Sequence, residues 1–221
     1  MNAVNLSLDT FDRDKFEQIT GRDLFGKVRE NMDALLDAGI PFKLNAVAMR
    51  GFNDDELPAF IDYAMHHPID VRFIEFMPMG EGTRWSDSCF WSAPDILDAV
   101  KGLVAVAPVE QEQRNGGPAR LYTLSGPDGP GLGRLGLISP LSSHFCTSCN
   151  RLRITSDGAL RTCLFDDREY RLRNALRHPK LGIEAVRRIV TLATRDKPIG
   201  ARLLERRHNA VAQRRMTAIG G

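Results

Sequence analysis

Three cysteines in the last third of the chain have the spacing of a metal or cluster site. Cys146 and Cys149 form a Cys-x-x-Cys pair, and Cys163 follows after thirteen residues. Three thiolates leave a [4Fe–4S] cluster one ligand short of the usual four, so one iron is open to another molecule. Arg151 and Arg153 follow the pair directly, and their guanidinium groups suit phosphate. The pattern indicates an inorganic centre that binds a phosphorylated substrate.

A structural zinc site explains the same spacing. His144 lies two residues before Cys146, so that one histidine and three cysteines could complete a Cys₃His site. Spacing alone does not separate zinc from an iron–sulfur cluster. Cys89 stands apart from the others and is interpreted as an unrelated thiol. Cysteines clustered in this way indicate metal binding in a reducing compartment rather than a disulfide scaffold.

Two charged residues interrupt apolar strand patterns. Lys43 and Arg72 each lie within a run that is otherwise hydrophobic. A charge in a buried parallel strand is costly unless it is paired, so such residues are typically functional or lie at the open end of a barrel. Glu75 offers a purely structural explanation, as an ion-pair partner for either.

Four other residues have two interpretations each. Ser7, near a strand end, either caps a turn or meets a ligand, and Met77 is either core filler or a cofactor contact. Gly220 and Gly221 end the chain, either as a frayed tail or as a segment that threads into a pocket.

Composition limits the classes of protein. The 221 residues carry a net charge of +2, but residues 151–221 alone carry +10 and residues 1–150 carry −8. Asymmetry of this kind indicates either an anionic partner or a solvated helical face. No apolar run is long enough for a membrane span and no secretory signal is apparent, so a cytoplasmic location is predicted.

The first third alternates between strands and helices. Strands are predicted over Val4–Leu8, Phe42–Met49 and Val71–Met77, with helices over Leu24–Ala38 and Asp54–His66. This order indicates βαβ units and a parallel sheet. Three strands cannot close a barrel, so the prediction is an α/β fold with a partial TIM-like β/α barrel in residues 1–105.

Residues 106–221 are predicted to form a second, α+β region. The turn Asp157-Gly158 should join strands Arg151–Thr155 and Leu160–Cys163 in a hairpin that returns Cys163 towards the other two thiols. Arg151 and Arg153 would then leave the same face of one strand. The remaining predicted elements are strands Arg120–Leu124 and Leu132–Leu137 and helices Pro94–Lys101, Asp167–Leu176 and Ile183–Ala193.

Motifs spread over the whole chain resemble those of one enzyme family. They are Val4-Asn5-Leu6-Ser7-Leu8-Asp9, Ile19-Thr20-Gly21, Lys43-Leu44-Asn45, Met49-Arg50-Gly51-Phe52-Asn53-Asp54-Asp55-Glu56, Arg72-Phe73-Ile74-Glu75-Phe76-Met77, Phe145-Cys146-x-x-Cys149-Asn150-Arg151-Leu152-Arg153, Asp157-Gly158-x-Leu160-x-x-Cys163-Leu164 and Ile219-Gly220-Gly221. In this order they are similar to the radical S-adenosylmethionine family of GTP 3′,8-cyclases, lyases of molybdenum cofactor biosynthesis. The resemblance favours iron–sulfur over zinc.

The resemblance implies a role for each matching position. Cys146, Cys149 and Cys163 would hold a [4Fe–4S] cluster whose open iron meets the guanine of GTP. S-adenosylmethionine would supply a 5′-deoxyadenosyl radical that takes hydrogen from the ribose C3′, and the sugar radical would then attack guanine C8. The implied GTP contacts are Lys43, Arg72, Arg151, Leu152 and Arg153, the S-adenosylmethionine contacts are Ser7 and Met77, and the catalytic tail is Gly220 and Gly221.

The resemblance also implies partners and reveals a departure. An electron donor, a homodimer and the next enzyme, cyclic pyranopterin monophosphate synthase, are implied, with no membrane or nucleic acid. The family's N-terminal CxxxCxxC motif, which holds a second [4Fe–4S] cluster, has no counterpart in these residues. The sequence therefore matches the C-terminal two-thirds of such an enzyme, and we expect no 5′-deoxyadenosine from it alone. The histidine expected after Lys197-Pro198 is also missing.

A binding module is the alternative function. A zinc or iron–sulfur centre could stabilise a fold whose +10 region binds nucleic acid or protein. A brown anaerobic preparation containing iron and sulfide would favour the enzyme, and a colourless protein that releases zinc would favour the module.

Overall fold

The chain forms two compact units in the computed structural model. The structure describes residues 4–80, 83–110, 117–144, 146, 149–200, 202–203 and 218. The first unit, here the sheet unit, comprises residues 1–76 and 87–143. The second, the cluster unit, comprises residues 77–86 and 144–221. Each is described separately below.

A six-stranded mixed sheet organises the sheet unit. Its spatial order is β1-β2-β3-β6-β5-β4, and β1, β2, β3 and β6 run parallel, whereas β5 is antiparallel to both of its neighbours. The sheet continues through residue 105, where the sequence suggested a division of the chain. The strands are β1 Val4–Ser7, β2 Phe42–Ala48, β3 Asp70–Glu75, β4 Ala105–Pro108, β5 Arg120–Gly126 and β6 Gly129–Ile138.

Two of the helices described in this unit begin at a residue whose side chain caps them. Helix α1 starts after Asp12, whose side chain accepts a hydrogen bond from the backbone N–H of Lys15, and it ends at Gly21 in a left-handed conformation. Ser92 caps α4 in the same way. The helices are α1 Arg13–Thr20, α2 Phe25–Asp37, α3 Leu57–His66 and α4 Ala93–Lys101. None of the helices that the structure describes has the length and apolar character to cross a bilayer.

The two faces of the sheet differ in character. One face packs the core, in which Leu44, Phe73 and Leu135 are fully buried together with Phe60 of α3. The Phe60 and Phe73 rings meet edge to face at 5.3 Å between centroids. Because side chains alternate along a strand, the neighbouring positions point to the opposite face. That opposite face carries Lys43, Asp70, Arg72 and Arg134.

The cluster unit contains a small sheet and two helices. Strand β8, Ala159–Arg161, lies between β7, Arg153–Ile154, and β9, Tyr170–Arg171, with both pairs antiparallel. Gly158 forms the β7–β8 turn with a φ of +82°. Helices α5, Leu172–Arg177, and α6, Gly182–Arg195, follow.

Most predicted elements are confirmed, with differences at particular places. The parallel βαβ arrangement and the hairpin at Asp157-Gly158 are present. The helix predicted over Asp167–Leu176 begins only at Leu172, because the residues before it form β9 instead. Arg151 precedes β7 rather than lying in it, so the argument that it shares a strand face with Arg153 was wrong.

A close backbone crossing between α3 and β6 leads to a testable prediction. A Cβ added to Gly133 would lie 2.5 Å from the carbonyl oxygen of His67 and 2.7 Å from that of Ala64, with the oxygen of Ile69 also in contact. These atoms are backbone and cannot rotate away. We expect Gly133→Ala to lower the free energy of unfolding by roughly 1–3 kcal/mol through overpacking, as measured by urea denaturation.

Gly26 provides the matched control for that substitution. It lies in α2, and an added Cβ would meet nothing within 4 Å. Gly26→Ala should leave the protein as stable or slightly more so, because alanine favours helix over glycine. Equal stability of the two variants would contradict the close approach at Gly133.

Candidate functional site

Charged side chains form a row on the open face of the main sheet. Lys43, Asp70 and Arg134 are partners in register on β2, β3 and β6. Arg72 lies two residues along β3, so it shares this face. Asp70 accepts a hydrogen bond from Arg134 Nε at 2.7 Å and from Arg72 Nη2 at 3.2 Å. Two arginines thus share one carboxylate, and Lys43 lies in register beside it, so these four residues comprise three cations and one anion.

Two residues of this row are buried. Asp70 and Arg72 are each 5% exposed. Burial lowers the pKa of Arg72, an effect that Asp70 opposes. Burial also lowers the pKa of Lys43, and Arg72 and Arg134 add to this by repulsion. A bound anion would relieve that repulsion, so the row is suited to phosphate or carboxylate groups.

The side chain of Arg72 lies over Gly136, which has no side chain to block it. A Cβ at Gly136, the register partner of Arg72 on β6, would lie 2.7 Å from Arg72 Cγ. The Arg72 stem therefore crosses the sheet over a position that has no side chain.

Glu75 is not the partner of these cations. Its carboxylate accepts hydrogen bonds from the backbone N–H groups of Ala93 at 2.9 Å, Leu141 at 2.8 Å and Ser142 at 3.0 Å, and from the Ser142 hydroxyl. The ion pair suggested from the sequence was wrong, because Glu75 lies on the core face of β3 whereas Arg72 lies on the other. Glu75 instead anchors the segment that leads to the cysteine pair.

Asn45 adds an unsatisfied acceptor to the same sheet face. Its register partners are Ser7 on β1 and Arg72 on β3. Asn45 Oδ1 is buried and has no hydrogen-bond partner among the residues that the structure describes. Ser7 is exposed at the end of β1. An amide oxygen without a donor indicates that a ligand or solvent supplies one here.

In the cluster unit, two of the three thiols lie beside Gly200. A Cβ built on Gly200 would be 2.7 Å from Cys163 Sγ, 2.9 Å from Phe165 Cδ2 and 3.8 Å from Cys146 Sγ. Gly200 is buried, so the absence of a side chain keeps the space beside these sulfurs open. All four cysteines lie in the described part of the chain, and none forms a disulfide.

The three thiols influence one another electrostatically. Burial raises the pKa of Cys163, and the nearby Cys146 and Cys149 thiolates raise it further. Burial acts in the same direction on Cys149, yet the pKa of Cys149 is lowered because the Arg151 backbone N–H and the Lys197 ammonium donate to its sulfur. Mutual repulsion of buried thiolates is relieved by a cationic metal centre, so the donor set fits one.

The predicted arginines surround the thiols unequally. Arg151 and Leu152 are exposed, whereas Arg153 is half-buried. Burial lowers the pKa of Arg153, as does the neighbouring Arg151, while Cys149 and Cys163 oppose this effect. Arg151, Arg153 and the thiols are therefore close enough to interact within this unit.

The remaining residues predicted from the sequence lie in different places. His144 is exposed, and within the described ranges no group of three or more His, Cys, Asp or Glu side chains is arranged to hold a metal ion. The ligation of one centre by the three cysteines thus stays a prediction. Met77 is half-buried in the cluster unit, Cys89 belongs to the sheet unit, and Gly220 and Gly221 lie outside the described residues.

Sequence reasoning missed Asp70, Arg134 and Lys197. Arg134 carries the signal that identified Lys43 and Arg72, a charge within an otherwise apolar strand, and could have been found. Asp70 begins β3 and shares a face with Arg72 by strand alternation, but only the register reveals that it also faces Arg134. No sequence pattern indicated that Lys197 contacts Cys149.

Comparison with known proteins places the chain in a family. The model of the Molybdenum Cofactor Synthesis C family matches residues 69–203, and that of the Radical SAM superfamily matches residues 1–64. Proteins named GTP 3′,8-cyclase are similar along the chain. That of Alkaliphilus oremlandii is 42% identical over 100% of this chain and 65% of its own length.

Two further relatives carry the same name. The protein of Syntrophomonas wolfei is 41% identical over 90% of this chain and 59% of its own length, and that of Pelotomaculum thermopropionicum is 36% identical over 100% and 66%. The chain spans about two thirds, or slightly less, of the length of these curated relatives. The resemblance inferred from the motifs is confirmed: the chain belongs to the Molybdenum Cofactor Synthesis C family, among relatives named GTP 3′,8-cyclase.

Proposed function

We propose that this chain carries the substrate-binding and C-terminal cluster-binding parts of a GTP 3′,8-cyclase. Such an enzyme converts GTP to (8S)-3′,8-cyclo-7,8-dihydroguanosine 5′-triphosphate with S-adenosylmethionine in molybdenum cofactor biosynthesis. The observation that carries the proposal is that Cys163 and Cys146 both lie beside Gly200 in the cluster unit, where Lys197 contacts the sulfur of Cys149. Relatives of the same name support it.

The fold proposed for the sheet unit is part of a TIM-like β/α barrel. Four parallel strands with helices between β1, β2 and β3 support this, as does the match to the Radical SAM superfamily. The functional division proposed is a barrel part in residues 1–105 and a cluster- and GTP-binding part in residues 106–221.

The chain's own cations are proposed to bind the triphosphate of GTP. In the cluster unit, Arg151 and Arg153 offer planar, permanently charged donors next to the thiols, and Leu152 offers its backbone between them. When bound, a [4Fe–4S] cluster on Cys146, Cys149 and Cys163 would supply an open iron position for guanine. In the sheet unit, Lys43 and Arg72 belong to a row with excess positive charge, which supports a phosphate contact.

The proposed contacts to S-adenosylmethionine lie in both parts of the sequence. Ser7 is in register with Asn45, whose buried amide oxygen lacks a donor among the described residues. An ammonium or ribose hydroxyl group would satisfy that oxygen. Met77 is proposed as an apolar contact, and Gly220 and Gly221 as the tail required for catalysis.

The remaining roles are proposed from the resemblance to the family. The protein would work in the cytoplasm, receive electrons from a donor, form a homodimer and pass its product to cyclic pyranopterin monophosphate synthase.

Cluster reconstitution tests the proposal directly. The 221-residue chain is loaded anaerobically with iron and sulfide, and its iron content is measured. The cluster is then reduced with dithionite, and its electron paramagnetic resonance spectrum is recorded with and without GTP. We expect about four irons per chain, as in a [4Fe–4S] cluster, and a spectrum that GTP changes more than ATP does. The proposal would be refuted by a protein that takes up zinc but no iron, or by a spectrum that is the same with and without GTP.

Two cysteine variants test which thiols hold the centre. Cys163→Ala should lose most of its iron because it removes one of three ligands. Cys89→Ala is the matched control, since Cys89 lies in the sheet unit, where its carbonyl oxygen accepts a hydrogen bond from the Arg50 backbone. Its iron content should equal that of the unaltered protein, and equal iron loss in both variants would disprove the assignment.

A further inference from the structure

Lys197 makes three hydrogen bonds to the segment that carries the cysteine pair. Its Nζ donates to the Cys149 carbonyl oxygen at 2.7 Å, to the Arg151 carbonyl oxygen at 2.9 Å and to Cys149 Sγ at 3.4 Å. An ammonium group has three N–H donors, so these contacts use all of them. A lysine suits this set, because the contacts need three donors on a compact, positively charged tip.

From this geometry we infer that Lys197 is a positioning residue for the cluster, a role that rests on the proposed cluster site. Its two carbonyl contacts hold the backbone from Cys149 to Arg151, and its third contact orients the sulfur. This segment carries Arg151, one of the arginines proposed to bind phosphate, so one ammonium holds both a thiol and the backbone of the neighbouring arginine.

The same contact is expected to tune the electronic properties of the centre. Hydrogen bonds and positive charge at a ligand sulfur stabilise the reduced, more negative form of an iron–sulfur cluster, which raises its reduction potential. Residues that orient a metal ligand typically contribute roughly 10- to 100-fold to metal affinity. Lys197 meets both conditions at Cys149.

Lys197→Met and Lys197→Arg test the inference, with Lys180→Met as the matched control. Lys180 is an exposed lysine of the same unit. After reconstitution, Lys197→Met should hold iron roughly 10- to 100-fold less tightly against a chelator, with a more negative midpoint potential. Lys197→Arg keeps the charge and should be intermediate in both. If Lys197→Met loses its iron completely, the potential is read from Lys197→Arg.

A second measurement needs no cluster. In the iron-free protein, trypsin should cut after the exposed Arg151 faster in Lys197→Met than in Lys180→Met. The reason is that Lys197→Met loses the hydrogen bonds that hold the carbonyl oxygens of Cys149 and Arg151. Circular dichroism shows whether each variant is folded. The inference would be overturned if Lys197→Met and Lys180→Met had the same iron affinity and the same rate of cleavage by trypsin. An unaltered protein that binds no iron would instead refute the proposed function. The cleavage rates would still show whether Lys197 holds the backbone from Cys149 to Arg151.

Discussion

Replacing Asp70 by asparagine should destabilise the sheet unit by about 3–5 kcal/mol, the usual cost of removing one partner of a buried ion pair. Asp70 and Arg72 are both 5% exposed, and Asp70 also pairs with Arg134 at 2.7 Å. Without the carboxylate, three cations would face one another on the sheet with no opposite charge from this residue. Urea denaturation followed by the fluorescence of the buried Trp91 measures the loss.

Asp23→Asn is the control for that experiment. Asp23 pairs with Arg13 at 2.5 Å, but both side chains are well exposed, so its loss should change stability little. Tripolyphosphate should restore part of the stability of Asp70→Asn, because an added anion can occupy the row of cations. Asp70→Asn that is as stable as Asp23→Asn, or indifferent to tripolyphosphate, would show that the row holds no excess charge.

Gly200→Ala should abolish stable cluster binding. The added Cβ would lie 2.7 Å from Cys163 Sγ and 2.9 Å from the Phe165 ring, closer than side-chain atoms pack. Phe165 is buried and Cys163 is short, so neither can move away cheaply. The sulfur would be pushed from its position, and iron content after anaerobic reconstitution should fall to a small fraction of that of the unaltered protein.

Gly26→Ala separates this effect from a general effect of replacing glycine. Nothing lies within 4 Å of the added Cβ in α2, so its iron content should be unchanged. Full iron content in Gly200→Ala would mean that the cluster is not held beside Gly200.

The parallel strands could be predicted because their pattern is local. Each of β1, β2 and β3 is a short apolar run separated from the next by a helical repeat, which is sufficient for a βαβ assignment. Helix α1 was missed although Asp12 and Gly21 mark its two ends. Its few apolar residues, of which Phe16 alone is buried, gave no clear helical repeat.

The pairing of charges could not be predicted because it depends on register. Asp70 and Arg72 are two residues apart on β3, so strand alternation alone places them on one face. The contact with Arg134 is the one that depends on register. The partner on β6 is 64 residues away in sequence, a separation that periodicity does not address. Glu75 looked equally suitable in the sequence and lies on the other face.

The spacing of the cysteines predicted their grouping but not what surrounds them. Asp157-Gly158 is a strong hairpin signal, so the return of Cys163 could be foreseen. Lys197 and Gly200 come from a segment more than 30 residues beyond Cys163 with no strand or helix signal of its own. Their approach to the thiols is a tertiary contact that only the structure reveals.

The crossing of backbones at Gly133 has a consequence for ligand affinity. Carbonyl groups at the end of α3 contact the backbone of β6 at Gly133. The next residue, Arg134, belongs to the charged row, and its backbone N–H donates to the Ile69 carbonyl oxygen at 2.9 Å. Because these contacts are between backbone atoms, the strand cannot move there without breaking them. The backbone amides at this crossing should therefore be among the slowest of the protein to exchange with deuterium. An anion that binds the charged row therefore meets side chains carried on a fixed strand, and little of its binding energy is spent on ordering the backbone there.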